Sequence, residues 1–185
     1  RHTRLAKVTG VQRVLFRSVY KQLGHYESID QIAAARYAAA LPYADPQRIA
    51  IYGWSYGGYE SIMASSQTDA PYAAAVAVAP VTDWRYYDTV YAERYMLTPQ
   101  QNPDGYKQAS TMTYIRNRRC PLLIMTGTAD DNVHMFNTMQ YSAEAEATGR
   151  WADVVLFPNM NHSINGCNSR QVVYARMLSF LETNM

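Results

Sequence analysis

The stretch YGWSYGGYES, residues 52–61, decides how this chain is to be read. It sets Ser55 among Gly53, Gly57 and Gly58, directly after the apolar run RIAIY. A glycine weakens a strand or a helix by roughly 0.5–1 kcal/mol relative to alanine, so such a density needs a compensating reason. A backbone bend too sharp for bulky neighbours around the serine supplies one. An ordinary turn that happens to contain a serine is the plainer alternative. The flanking chain separates the two.

Upstream, Ser28 with Gln31 three residues on forms a capping box. Ile29, Ile32, Ala33, Tyr37, Ala40 and Leu41 follow near helical spacing until Pro42 ends the run. Asp45-Pro46 marks a turn. RIAIYG (48–53) then reads as a short buried strand, and YGGYESIMASSQ (56–67) as the helix beyond the bend. Downstream the alternation repeats. AAAVAVAP (73–80) is a strand, and 82–118 an irregular aromatic segment with short helices around Tyr86–Tyr95 and Gly105–Arg116. PLLIMTG (121–127) is a strand, 133–148 a helix, ADVVLFP (152–158) a strand and about 168–183 a final helix. Apolar strands separated by helices require crossover connections, and so a mostly parallel sheet with helices on both faces. The fold class is α/β.

At 185 residues the length suits one domain with a sizeable core. A hydrophobic share of 48% with 17% charged residues is that of a globular chain. No apolar run approaches the roughly 18–20 residues that span a bilayer, so no membrane segment is expected. The net charge of +2 is uneven: residues 1–18 hold Arg1, Arg4, Lys7, Arg13 and Arg17 and no acid. The remainder carries 12 basic against 15 acidic residues. The basic residues are scattered and lack interleaved aromatics, which argues against a nucleic-acid partner. Cys120 and Cys167 lack the spacing and His partners of a zinc site, and two free thiols are expected. No metal and no cofactor is indicated.

On this map Ser55 falls between a strand and a helix inside Gly53-x-Ser55-x-Gly57, the setting of a nucleophile elbow and of an α/β-hydrolase. The glycines remove Cβ atoms that would clash in the turn. The N–H of Tyr56 is left pointing toward a developing oxyanion, reinforced by the helix N-terminus. A serine hydroxyl needs a base, and the base an orienting acid. His2 and His25 precede the elbow and His134 lies within the expected helix, so His162, in PNMNHSING after the last strand, is the candidate base. GTADDN offers Asp130 and Asp131; one would orient the imidazole and the other cap the helix that begins near Asn132 or Val133. Spacing from the strand end does not separate them.

GWSYGGY, APVTDWRYYDTVYAERYM, TGTADDNVHMFNTMQYS and the His162 loop, occurring in that order, resemble the catalytic domain of dipeptidyl peptidase IV-like serine peptidases of the prolyl oligopeptidase family. The resemblance spans about residues 20–185. It implies Asp130 as the acid of the triad, and Asn132 as a hydrogen-bonding partner of the substrate's penultimate carbonyl. It also implies a proline-accepting pocket of Tyr56, Val81, Trp84, Tyr87, Tyr91 and Val133. A prolyl ring is compact, apolar and without an N–H, so an aromatic slot suits it. On the residues alone, the run Tyr86–Tyr95 reads as a packed amphipathic surface; the resemblance turns it into the pocket.

The activity implied is release of X-Pro or X-Ala dipeptides from peptide N-termini through an acyl-enzyme. A related acylaminoacyl or tripeptidyl peptidase, an esterase, or an inert fragment are the alternatives. Family members carry a β-propeller and a second oxyanion donor, a tyrosine, that have no counterpart here. Residues 1–18 do not match the family's Gly-rich segment and read as a joined-on artefact, which leaves 19–185 as the C-terminal part of the hydrolase domain. The resemblance further implies a periplasmic or cell-surface location and a homodimer of the full-length protein.

Overall fold

Among the described residues, four parallel strands, hydrogen-bonded to one another in chain order, form the centre of the protein. In this computed structural model the described residues are 19–185, so the reading of residues 1–18 lies outside them. The elements in chain order are α1 (His25–Ala39), β1 (Ala50–Trp54), α2 (Tyr56–Ser65), β2 (Ala74–Val78), α3 (Thr89–Met96) and α4 (Pro103–Gln108). They are followed by β3 (Leu122–Gly127), α5 (Phe136–Ala147), β4 (Asp153–Phe157) and α6 (Ser169–Asn184). Two 3-10 turns, Trp84–Tyr86 and Thr111–Asn117, complete the irregular segment between β2 and β3.

The sheet is parallel because every strand-to-strand connection carries helical chain back to the starting edge. β2 (AAVAV) and β3 (LLIMTG) are buried at every residue, as central strands covered on both faces must be. Their side chains sort by parity. Ala75, Ala77, Leu122 and Ile124 pack with Ile32 and Ala35 of α1, Ile62 and Ala64 of α2, and Tyr141 and Ala145 of α5. Ala74, Val76, Val78, Leu123 and Met125 pack with Val173, Met177 and Phe180 of α6. The period of two thus divides the core into two layers. Ile62 and Ile124 are wholly buried, and truncating either to alanine should cost about 2–5 kcal/mol.

A third cluster lies over the carboxyl ends of the strands. Leu23, Tyr59, Met63, Val81, Trp84, Ala92, Met96, Tyr106 and Val133 form it, so segment 81–114 folds into a cap on the sheet. β1 follows β2 in register from Ala50↔Ala74 to Trp54↔Val78. That register ends β1 one residue before Ser55. Open α/β sheets bind ligands outside this edge, which locates the site.

The expected elements are present with shifted ends, and the capping box at Ser28 does not form. The helix expected at Ser28 begins at His25, after Gly24 at φ 84°, and Ser28 makes no capping bond. Ser28 is instead buried within the first turns. The Tyr59 hydroxyl explains the shift. It sits 2.9 Å from the carbonyl oxygens of Leu23 and Ala109, and a Cβ on Gly24 would stand 2.2 Å from it. The tertiary contact, not the local box, sets the helix start. Cys120 and Cys167 are unpaired.

Candidate active site

Ser55 sits at φ 59°, ψ −118°, a conformation that costs a residue with a side chain about 1–3 kcal/mol. Two hydrogen bonds hold it there: Ser55 N–H to Val78 O at 2.8 Å, and Tyr59 N–H to Ser55 O at 3.0 Å. The bend brings the backbone of Gly57 against Gly53, whose Cβ would stand 2.1 Å from the Gly57 oxygen. Gly57 differs from expectation, since a Cβ there would meet nothing within 4 Å. Its backbone is the obstacle; its missing side chain is not required. Tyr56 opens α2, so its N–H belongs to the first turn, where amides lack helical partners and the dipole favours negative charge.

Asp130 and His162 meet across two loops. His162 Nδ1 lies 2.8 Å from Asp130 Oδ2, and the Asp130 side chain is fully enclosed. Asp130 Oδ1 accepts the backbone N–H of Asn132 at 3.0 Å and of Val133 at 2.9 Å. Those amides fix the carboxylate so that its second oxygen faces the imidazole. The expectation that the second acid caps the helix fails: α5 begins at Phe136, and Asp131 is exposed and unused. Asp130 does both, turning the chain through Oδ1 and meeting the His162 imidazole through Oδ2. His134, expected inside that helix, precedes it.

Trp54 links this pair to the elbow. Its Nε1–H donates to the backbone oxygen of His162 at 2.9 Å, so the residue before the serine holds the loop that carries His162. Ser55 Oγ makes no hydrogen bond to His162 here. In free enzymes such bonds are often long and tighten when substrate binds.

All six residues expected in the pocket share the third cluster: Val81, Trp84 and Val133 in its buried part, Tyr56, Tyr87 and Tyr91 packed against it. Trp84 is the hub. Its ring centroid lies 5.5 Å from Tyr56, 5.8 Å from Tyr87 and 5.7 Å from Tyr91, the last stacked at 21°. Tyr87 and Tyr91 meet edge to face at 5.4 Å. These are the spacings at which aromatic pairs add to simple burial. The Tyr87 hydroxyl also donates to Asn132 Oδ1 at 2.8 Å. That bond orients the amide and leaves the Asn132 NH2 free to donate.

The sequence model of the prolyl oligopeptidase family matches residues 10–185. The chain belongs to that family. Among its relatives, the probable dipeptidyl-aminopeptidase B of Paracoccidioides brasiliensis is 47% identical over 163 residues, covering 86% of this chain and 18% of its own length. The protein of that name from Emericella nidulans is 45% identical over 163 residues, with the same shares. The chain therefore spans about a fifth of the curated relatives it matches. Among solved structures, Porphyromonas gingivalis dipeptidyl peptidase 4 superposes with a TM-score of 0.88 at 45% identity, over 91% of this chain and 24% of that one. A putative dipeptidyl aminopeptidase IV from Bacteroides ovatus gives 0.86 at 29% identity, over 90% and 24%.

In this prolyl oligopeptidase-family site, three residues escaped the sequence reading. Trp54 is the first, since an indole beside the elbow reads as core. Glu27 and Glu60 are the others. Glu27 Oε1 accepts the Tyr56 hydroxyl at 2.7 Å, and burial followed by the Glu27 charge holds that phenol well above its ordinary range. Glu60 is buried beside them, and burial, then the charge of Glu27, push its carboxyl up to about 9. A charged residue one position after a buried Tyr on a helix carries no signal of burial by itself.

Proposed function

We propose that the protein is the catalytic part of a serine peptidase that releases X-Pro or X-Ala dipeptides from peptide N-termini. The observation that carries this reading is the buried Asp130 bonded to His162, on the loop that Trp54 ties to the strained Ser55. His162 Nε2 takes the proton of Ser55 Oγ as that oxygen attacks the scissile carbonyl. Asp130 keeps the other ring nitrogen protonated and stabilises the imidazolium. The Tyr56 N–H receives the oxyanion. Collapse of the tetrahedral intermediate passes the proton from His162 to the leaving amine and leaves the dipeptide as an ester on Ser55. Water, activated by the same histidine, then releases it.

The slot sets the selectivity. Tyr56, Tyr87 and Tyr91 present uncharged ring surface backed by the buried Trp84, and the Asn132 NH2 donates to the preceding carbonyl. The names of the relatives, dipeptidyl-aminopeptidase B and dipeptidyl peptidase 4, support the dipeptide length of the product. Family resemblance also supports a homodimer of the full-length protein, a state that analytical ultracentrifugation reads directly. Among the described residues no helix is long and apolar enough to cross a membrane.

The test is labelling with a fluorophosphonate, followed by chromogenic substrates. Covalent labelling of the wild type and none of Ser55→Ala is expected, with X-Pro amides turned over in preference to amino-terminally blocked ones. Equal labelling of both forms would overturn the assignment of the nucleophile. Preference for a blocked terminus would favour an acylaminoacyl peptidase.

A further inference from the structure

The hydroxyl of Tyr56 leads out of the slot to a pair of carboxyl groups that the chemistry above does not use. Glu27 Oε1 accepts that hydroxyl at 2.7 Å. Glu60, one turn along α2, is 6% exposed, and neither of its oxygens has a hydrogen-bond partner; Glu27 Oε2, also buried, has none either. Burial, and then the Glu27 charge, outweigh the Ser28 hydroxyl, which favours the charged form of this carboxyl, so the group keeps its proton. The titratable groups that face it are Glu27 from α1, Tyr56 and Tyr59 from its own helix, and Tyr72 from the segment before β2; none is a cation. A neutral carboxylic acid has one O–H to give, and Glu27 Oε2 is an acceptor with nothing to accept.

We propose that Glu27 and Glu60 form a proton-sharing pair that positions Tyr56. The Glu60 acid donates to Glu27 Oε2, Glu27 Oε1 holds the Tyr56 hydroxyl, and the ring and the N–H of Tyr56 are fixed together. One residue thereby supplies both a wall of the slot and the oxyanion donor. The catalytic consequence rests on the peptidase reading above; the proton-sharing itself does not.

The pair is sensitive to alkali. The carboxyl of Glu60 is raised from its ordinary 4.5 to about 9 in the folded protein. The folded state therefore binds more protons than the unfolded state across that window. The associated stability is fully present at and below the lower value and is lost as pH rises through the upper one. Above it, the proton has left for solvent, two carboxylates repel each other, and the anchor of Tyr56 fails.

The experiment uses this chain labelled with ζ-¹³C-tyrosine, the Tyr56 signal being assigned with Tyr56→Phe. Infrared spectra of the same samples report un-ionised carboxyl groups. A carboxylic acid band that persists at neutral pH and titrates away near pH 9, and that Glu60→Gln removes, is expected. The Tyr56 signal should move with the same midpoint in the wild type and stay flat in Glu60→Gln. Inactivation by Ala-Pro diphenyl phosphonate should fall across that window in the wild type, and the fall should vanish in Glu60→Gln. Glu27→Ala should slow inactivation about 10–100-fold, as small displacements of reacting groups do, and Glu27→Gln, which keeps an acceptor, should restore most of it. Absence of the acid band at neutral pH, or a Tyr56 signal identical and pH-independent in all three proteins, would overturn the pair. An acid band with a coupled Tyr56 titration, but no inactivation of the wild type, supports the pair and contradicts the peptidase reading.

Discussion

Around Asp130 and His162, position is set by hydrogen bonds, each with a named donor and acceptor: two amides on one carboxylate oxygen, an imidazole on the other, an indole on the loop. Around Trp84 it is set by ring surfaces, four of them within 6 Å of the indole. The polar half is brittle, because a hydrogen bond in a dry site is strong and a missing partner leaves a buried group unsatisfied. The apolar half is graded, because contact energy is spread over many atoms. The two halves should therefore fail differently. The first loses rate and keeps selectivity; the second loses affinity or stability and keeps the chemistry.

The largest expected effect is on the polar side. Asp130→Asn preserves the shape but puts an amide where the imidazole must donate. It should lower kcat by about 10⁴ with little change in KM, read with an X-Pro amide substrate. A loss below tenfold would show that Asp131, or water, orients the base. Next comes the hub of the apolar side. Trp84 is 1% exposed and touches Tyr56, Tyr59, Tyr87 and Tyr91. Trp84→Ala should destabilise the protein by about 3–5 kcal/mol in urea denaturation. An unchanged midpoint would mean the cap is not part of the cooperative unit.

Two conservative changes of similar size then sharpen the contrast. Trp54→Phe removes the bond to His162 O and should cost kcat about 2–10-fold, leaving KM in place. Tyr87→Phe keeps the ring but frees the Asn132 amide, and should raise KM by about the same factor with kcat nearly constant. If both variants moved the same parameter, the division between the halves would be wrong.

The same division explains what could be read from the sequence. The strands were legible because β2 and β3 are apolar at almost every residue, and an uninterrupted apolar run closed by Pro80 or Gly127 leaves little choice. Ser55 and His162 stand out as candidates by position along the chain, one at a strand–helix junction and one after the last strand. Asp130 was not separable from Asp131 by spacing, because the choice depends on which carboxylate the amides of Asn132 and Val133 capture. Ser28 misled because a capping box is a local rule, while Gly24 and the Tyr59 hydroxyl fix the start of α1 from a distance. Glu27 and Glu60 lie 33 residues apart in sequence. No pattern rule pairs two acids, so they became visible only once α1 and α2 were packed together.

The proposed function requires that Ser55, His162 and the aromatic slot act on one bound dipeptide. It is tested most directly by the crystal structure of the adduct formed with Ala-Pro diphenyl phosphonate. Expected are phosphorus bonded to Ser55 Oγ, a phosphonate oxygen on the Tyr56 N–H, His162 Nε2 within hydrogen-bond reach of Ser55 Oγ, and the prolyl ring against Tyr56, Tyr87 and Tyr91. Phosphorus on another residue, or an imidazole turned away from the adduct with the prolyl ring outside the slot, would contradict it.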